Sequence, residues 1–246
     1  MHFMTCTDEK RWKQGKRRAE KDEFVGASFF YAIQAPPGSL DVQVIEKRVD
    51  HFGRFAAKMD ESVKHLFSTC QDQSKKYAGP YKREFTRVSN AFAQLAEAFA
   101  GSGVPEEDRA LNEAIRHTSV TYDTIGKLYE EQPRLDFEPM SDVLHEYKGI
   151  LSNFPDILQL QKGALSKKRE HQKLQDEGKV DAATAVSVYR RADIVSYATL
   201  AEVDYFQKQR VAEFKLMIQN FMRQQILFYE NITDTLRQNF EKYERC

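Results

Sequence analysis

The sequence predicts an all-α protein made of three long, kinked, antiparallel helices, and three observations support this class. Apolar residues recur at alternating steps of three and four from Phe52 to Phe99, and equivalent runs span 111–165 and 186–243, a spacing that keeps one face of a helix apolar. Charged residues make up 30% of the 246 residues, against only 11 glycines and seven prolines, as expected of solvated helices rather than a layered sheet. Since an α-helix rises 1.5 Å per residue, each helix would be on the order of 90 Å long, and the protein is expected to be elongated.

The first helix is predicted from about Leu40 to Ala100, where Gly101-Ser102-Gly103 ends it. Its apolar register continues across Gly79-Pro80. We therefore expect these two residues to bend the helix without ending it.

The second helix is predicted to begin with Pro105 in its first turn and to end near Asp176-Glu177-Gly178. Pro133, Pro139 and Pro155 interrupt it, but the apolar series carries on across each of them. Kinks are therefore expected at the three prolines rather than breaks.

The third helix is predicted to start at the N-cap residue Asp181 and to continue to the C-terminus. Its inner apolar stripe is expected to run from Val188 through Phe228 to Leu236 and Phe240. Three such helices joined by short loops predict an antiparallel coiled-coil bundle.

The three apolar stripes leave more apolar surface than one chain can cover. A fully buried phenylalanine contributes about 1.5–3 kcal/mol, so self-association with twofold symmetry, the commonest type of oligomer, is the expected solution. The residues predicted at this homodimer interface are Phe52, Phe55, Phe92, Phe99, Phe214, Phe221 and Phe228.

Residues 1–35 differ in character from the rest of the chain. Asp8 and Glu9 suit the first turn of a short helix, with Thr5 or Thr7 as its cap. A basic cluster follows, and after it an apolar patch over 24–33 that needs a packing partner. The cluster residues predicted to bind lipid are Lys13, Lys16, Arg17, Arg18 and Lys21.

A second basic segment, residues 162–191, spans the predicted turn between the second and third helices and is called the basic hairpin below. It holds eight cations against four acids, in a chain where 37 Lys and Arg balance 37 Asp and Glu. Solvation is the ordinary interpretation of such charges, but their concentration favours an anionic membrane surface, where each cation contributes about 1 kcal/mol. Nucleic acid is less favoured, because interleaved aromatic residues are missing. The cations are Lys162, Lys167, Lys168, Arg169, Lys173, Lys179, Arg190 and Arg191.

The sequence offers little support for catalysis. The six histidines lie on different segments without metal-ligand spacing, and Gly15-Lys16 lacks the other residues of a phosphate loop. Three distant cysteines suit a reducing, cytoplasmic setting, and no apolar run approaches the roughly 18 residues of a membrane span. We therefore expect no enzyme activity, no cofactor, no metal site and only peripheral contact with membranes.

Several longer stretches resemble a known family. Two of them, at 5–10 and 12–23, are similar to the junction that follows the PX domain in the SH3-containing sorting nexins, the subfamily of sorting nexins 9, 18 and 33. Others are similar to segments of the BAR domain of these proteins, and the likeness covers essentially the whole chain in order. The BAR-like stretches are EYKG at 146–149, NFPDI at 153–157, QKGA at 161–164 and QQILFY at 224–229.

This resemblance implies a BAR domain over residues 40–246, a crescent-shaped antiparallel homodimer that binds and bends membranes with a basic concave face. It implies that residues 1–39 form the end of a PX domain and the yoke that clamps it to the BAR arm. Family lysines implicated in lipid contact fall on Lys162, Lys173 and Lys179, with Lys167 and Arg169 near two others, while the segment around Arg190 and Arg191 is basic in relatives.

The resemblance also implies partners and location. Phosphoinositides are expected among the anionic lipids, and the plasma membrane and endocytic vesicles are expected as the sites of peripheral attachment. The chain is expected to be a fragment that lacks the PX pocket and the SH3 domain, which recruits dynamin and actin regulators.

Two functions from different classes stay open. The first is a membrane-curvature sensing and remodelling dimer that acts in endocytosis and vesicle trafficking. The second is a protein-only dimeric coiled-coil scaffold, in which the cations are merely solvated.

Overall fold

The protein is described by a computed structural model over residues 8–11, 13–15, 35, 41–100 and 106–245. No strand occurs in these residues, and the all-α prediction is confirmed. The elements in chain order are α1 (Val42–Lys76), a π-helical turn (Tyr77–Tyr81), α2 (Lys82–Ala100), α3 (Glu106–Glu131), a 3₁₀ turn (Gln132–Arg134), α4 (Phe137–Asp176) and α5 (Ala182–Tyr243).

The chain divides into two compact units. Unit 1 comprises Met1–Ala56 and Asn153–Lys208, and unit 2 comprises Ala57–Ser152 and Gln209–Cys246. Helices α1, α4 and α5 contribute residues to both units, whereas α2 and α3 lie in unit 2. The predicted domain boundary after residue 39 stays a prediction, because most of residues 1–39 lie outside the described part of the chain.

Unit 1 is a three-helix packing around an aromatic core. The rings of Phe52 on α1, Phe154 on α4 and Phe206 on α5 meet edge to face, with centroid distances of 4.8, 4.9 and 5.8 Å, the geometry that aromatic rings prefer in protein cores. Residue numbers rise along α1 as they fall along α4, since Glu46 pairs with Arg169 while Phe52 meets Phe154. The predicted antiparallel arrangement of these two helices is therefore confirmed.

Unit 2 is joined by a ladder of stacked rings between α2 and α3. Phe85 stacks on Tyr129 at 4.8 Å, and Phe92 stacks on Tyr122 at 5.7 Å. Tyr129 also meets Phe228 of α5 edge to face at 4.9 Å. These contacts cover part of the apolar faces that the sequence pattern predicts for the three helices.

The first predicted helix passes through Gly79-Pro80 as expected. The N–H of Lys82 donates to the carbonyl of Tyr77, five residues earlier, so the widened turn accommodates a proline that has no N–H of its own. Helical structure continues from α1 through the π-helical turn into α2.

The second predicted helix is broken at Pro133, and the prediction of a kink at this position is wrong. Helix α3 ends at Glu131, and α4 begins only at Phe137. The break is stabilised by Asp136, whose buried carboxylate accepts hydrogen bonds from side chains on both sides of it. Pro139 lies in the first turn of α4, where a proline costs no hydrogen bond.

Pro155 does not break the helix, as the sequence predicts, and a bend at this position stays a prediction. The proline lies inside α4, and the helix continues past it to Asp176. The predicted end of the second helix near Gly178 and the predicted start of the third at Asp181 are also confirmed.

Candidate functional site

The turn of the basic hairpin has two local features that fix the facing helix ends. The N–H of Lys179 donates to the carbonyl of Leu174 at 2.8 Å and the N–H of Gly178 to that of Gln175 at 3.0 Å, while Gly178 adopts a φ of 67°. This is a Schellman motif, which requires the left-handed conformation that glycine adopts without strain. The sequence therefore ends α4 sharply within three residues.

Asp181 caps the start of α5. Its carboxylate accepts hydrogen bonds from the backbone N–H of Thr184 at 2.9 Å and from the Thr184 hydroxyl at 2.7 Å. These bonds hold the pKa of Asp181 below its ordinary value. The charge at this position is thus committed to the helix start.

Three cations of the basic hairpin form ion pairs between the helices of unit 1. Each reaches an acid on a neighbouring helix of unit 1, and Lys168 keeps only 19% of its side chain exposed. Hydrogen bonding and charge attraction from Lys162 hold the pKa of Asp50 below its ordinary value. The pairs are Lys162–Asp50 at 2.7 Å, Lys168–Asp193 at 2.6 Å and Arg169–Glu46 at 2.6 Å.

Three other cations of the hairpin form no ion pair in the described residues. Lys167, Lys173 and Arg191 are exposed, and none of them forms an ion pair with an acid in the described part of the chain. Lys179 pairs only with Glu177 two residues away, and Arg190 is exposed but has an interaction of its own. The hairpin thus separates into cations that hold helices together and cations that face solvent without a counter-charge.

The N-terminal basic cluster is only partly described. Residues 9–11 and 13–15 are helical, and Asp8 is the cap of this helix, since its Oδ1 accepts the backbone N–H groups of Lys10 and Arg11. The predicted caps Thr5 and Thr7 lie outside the described residues. Lys13 is exposed and pairs with Glu9 at 2.6 Å. The remaining predicted lipid-binding residues of this cluster, which lie outside the described part of the chain, are Lys16, Arg17, Arg18 and Lys21.

A groove between α4 and α5, not predicted from the sequence, extends from the basic hairpin away from its turn. Its volume is about 710 Å³, and Leu160, Ala164, Val188 and Val195 contribute apolar surface to it. Lys167, His171 and Arg191 also line it. Leu158 is buried and Leu160 is exposed, on opposite faces of α4. The two leucines at positions 158 and 160 were the available sequence signal, because they cannot both lie on one face of a helix.

Six of the seven phenylalanines predicted at a dimer interface pack on aromatic rings of the same chain. Phe52 and Phe228 are only 1% and 2% exposed, so one chain alone achieves the burial that was ascribed to a partner. Phe99 is half-buried. Contact with a second copy stays a prediction for the partly exposed members. The observed ring contacts are Phe52–Phe154, Phe55–Phe52, Phe92–Tyr122, Phe214–Tyr147, Phe221–Phe137 and Phe228–Tyr129.

Helix α5 carries an exposed apolar stripe in unit 2 that the sequence-based analysis missed. Its members follow one another at steps of three, four and seven, so they share one helix face. They are between 40% and 63% exposed. The second series of three- and four-residue steps in the sequence was the available signal. The stripe consists of Ile218, Met222, Ile226, Tyr229, Leu236 and Phe240.

The predicted inner stripe of the third helix is wrong at Leu236 and Phe240. Both are exposed, and the polar Asn239 is buried instead. Asn239 donates to the Thr118 hydroxyl at 2.9 Å, and its amide oxygen lies 3.1 Å from the Nδ1 atom of His117. Since α3 offers polar partners here, an asparagine satisfies the interface better than a second apolar side chain.

Two features are absent from the described residues. No cluster of His, Cys, Asp and Glu side chains in them is arranged to hold a metal ion. None of their helices carries an apolar stretch that is long enough to cross a bilayer.

Comparison with known proteins assigns the family. Residues 8–244 match the family model described as the WASP-binding domain of sorting nexin protein. Over 99% of this chain, identity is 44% to sorting nexin-33 of Mus musculus and 43% to sorting nexin-18 of Mus musculus, of which the chain covers 42% and 40%. Sorting nexin lst-4 of Caenorhabditis elegans is 32% identical over 99% of this chain and is covered to 42%. The chain therefore spans about two fifths of the length of these relatives. It belongs to the sorting nexin family, and the matched region is the BAR-type domain of that family.

Proposed function

We propose that this domain is a homodimeric, membrane-associated module of a sorting nexin that binds anionic lipids, phosphoinositides among them, through its basic hairpin. In this role it senses and shapes membrane curvature during endocytosis and vesicle trafficking. It acts from the cytoplasmic side of the plasma membrane and of endocytic vesicles, while an SH3 domain elsewhere in the protein recruits dynamin and actin regulators.

The observation that carries the proposal is the set of unpaired cations. Lys167, Lys173 and Arg191 are exposed without an ion-pair partner in the described residues, so a lipid phosphate that binds them displaces no existing ion pair. Each contributes about 1 kcal/mol near an anionic leaflet. The exposed pairs of Lys162 and Arg169 are of the kind worth about 0–1 kcal/mol, which permits their exchange for a phosphate. Family membership supports a role at membranes.

The exposed stripe of α5 supports the homodimer. Monomeric soluble proteins rarely leave a long apolar patch open to water, and steps of three and four residues are typical of a seam between helices. We propose that this stripe packs against the same stripe of a second copy. The twofold arrangement then places two basic hairpins on one particle.

Co-sedimentation with vesicles tests the lipid part of the proposal. The triple variant Lys167→Glu, Lys173→Glu, Arg191→Glu is compared with a control of equal charge change in unit 2, Lys58→Glu, Lys75→Glu, Lys215→Glu, whose residues are also exposed. Vesicles of phosphatidylcholine with a phosphoinositide, at physiological salt, should pellet the control chain and release the hairpin variant. Equal pelleting of the two variants would contradict the proposal.

A second candidate function is binding of a WASP protein. The description of the matched family names this activity, and a protein-only scaffold would carry it out without lipid. If the hairpin variant captures purified WASP equally well with and without vesicles, the result favours the scaffold. Capture that depends on vesicles would favour the membrane module.

A further inference from the structure

We propose that the groove between α4 and α5 holds one acyl chain of an anionic phospholipid whose phosphate is bound by Lys167 and Arg191. The inference rests on the proposed function and deepens it. Attraction between a basic surface and a charged leaflet needs only exposed cations, whereas this groove adds an apolar surface of the size of a ligand site.

The apolar part of the groove is open and unoccupied by the described chain. Leu160 is 65% exposed. Ala164, one turn farther along α4, is a second apolar residue of the same groove. Gly163 adds further space, because a Cβ atom built there would meet no atom within 4 Å. The volume of about 710 Å³ lies inside the range of roughly 300–1,000 Å³ that is usual for small-molecule sites.

The two cations of the groove lie at one end of it, and the acid Asp156 lines the other end, beyond Leu160. Two contacts give the alignment of the antiparallel helices: Gln161 reaches Ser196 at 3.3 Å, and Lys168 reaches Asp193 at 2.6 Å. Lys167 and Arg191 therefore lie toward the end nearer the hairpin turn, and Leu160 lies farther from the turn. A ligand with an anionic head and an apolar tail matches this order.

The second argument for a lipid ligand is that the cations lining the groove are ones without an ion pair. Lys168 and Arg169 follow Lys167 directly, and both are held in ion pairs with other helices. Lys167 and Arg191 line the groove and have no acidic partner in the part of the chain that the structure describes. A bound anion would neutralise these two groove cations, which form no ion pair in the described residues.

Quenching by brominated lipids tests the acyl-chain contact in the full chain. Trp12 is the only tryptophan, so the background variant Trp12→Phe allows a reporter to be placed by Leu160→Trp, with Val186→Trp as a control that is 59% exposed in the same hairpin but outside the groove. Vesicles contain phosphatidylcholine and phosphatidic acid, with bromine on the chains of one lipid at a time. We expect the Leu160→Trp reporter to be quenched by brominated phosphatidic acid and not by brominated phosphatidylcholine, and the control reporter to show no such preference.

The head-group contact is tested in the same chain. Lys167→Ala should weaken vesicle binding about fivefold, and so should Lys173→Ala, because each removes one cation from the membrane surface. Lys173 does not line the groove. Only Lys167→Ala should therefore also reduce the quenching measured per bound protein.

The outcomes separate this inference from the proposed function. A chain that pellets with anionic vesicles but shows no lipid-selective quenching overturns the groove site and leaves the membrane module standing. A chain that does not pellet at all overturns both. Equal quenching by the two brominated lipids means unspecific contact with the bilayer and also overturns the groove site.

Discussion

The buried carboxylate of Asp136 yields the sharpest prediction about stability. Asp136 is 1% exposed, and it lies in the break between α3 and α4. Its Oδ2 atom accepts a hydrogen bond from the Gln132 amide at 2.7 Å and another from the Gln225 amide at 2.6 Å, and its Oδ1 atom accepts the N–H of Phe137. One side chain thus joins the break to α5, which is 89 residues away in the chain.

Replacement of Asp136 by alanine leaves these donors without an acceptor. Each buried, unsatisfied group costs about 1–3 kcal/mol. The Gln132 amide retains a bond to the carbonyl of Gln224 at 3.2 Å, and burial raises the pKa of Asp136, so removal of the carboxylate also relieves a desolvation cost. We therefore expect Asp136→Ala to lower the free energy of unfolding by about 2–4 kcal/mol and the melting temperature by about 5–15 °C.

Guanidinium unfolding followed by far-ultraviolet circular dichroism measures this loss. Asp142→Ala is the matched control, because Asp142 is exposed on α4, six residues after Asp136, and its removal should change stability by less than about 0.5 kcal/mol. If Asp136→Ala costs no more than the control, the carboxylate does not hold the break, and the explanation given for the failed kink at Pro133 is wrong.

Three further predictions follow from the same structure. Burial raises the folded-state pKa of Asp136 above the ordinary 3.8, so protonation favours the folded state. This pH-dependent part of its contribution is complete below pH 3.8 and is lost as pH rises through the folded pKa. Acidification should therefore raise the unfolding free energy of the wild type relative to Asp136→Asn in a pH series. Gly178→Ala should cost about 1–2 kcal/mol in the same denaturation assay, because the φ of 67° is strained for alanine. The double variant Ile226→Glu, Phe240→Glu should shift a dimer toward monomer in sedimentation equilibrium, whereas Val120→Glu, at a position 60% exposed on α3, should not; a monomeric wild type at micromolar concentration would contradict the proposed dimer.

The parts of the fold that follow local rules could be predicted from the sequence. The end of α4 at Gly178 and the start of α5 at Asp181 depend on hydrogen bonds within five residues. The passage through Pro80 depends on one widened turn. Such features depend only on residues that are close together in the sequence, so a single sequence is enough to predict them.

The break at Pro133 depends on a distant residue and could not be predicted in this way. Prolines at 133 and 155 look alike in the sequence, yet α4 continues past Pro155. The difference lies in Asp136 and in Gln225, which reaches it from α5. A contact of this separation becomes visible only when the helices are packed.

The candidate site shows the same limit for charge. Lys167, Lys168 and Arg169 are consecutive, and composition alone assigns them equal roles. Their side chains leave α4 about 100° apart, so Lys168 meets Asp193 of α5 and Arg169 meets Glu46 of α1, while Lys167 turns to the groove. The basic hairpin was predictable as a segment, but the division of its cations between structure and surface was not.

This division decides which substitutions can report on membrane binding. Lys162→Glu would place a carboxylate beside Asp50, whose pKa is held low by Lys162, and would repel it across the contact between α1 and α4. A loss of vesicle binding in that variant would then have two causes, a weakened helix contact and a lost lipid contact. Lys167, Lys173 and Arg191 form no ion pair in the described residues, so their charge reversal breaks none of the ion pairs that join the helices of unit 1. A loss of vesicle binding after substitution of these three cations can therefore be assigned to lost lipid contact.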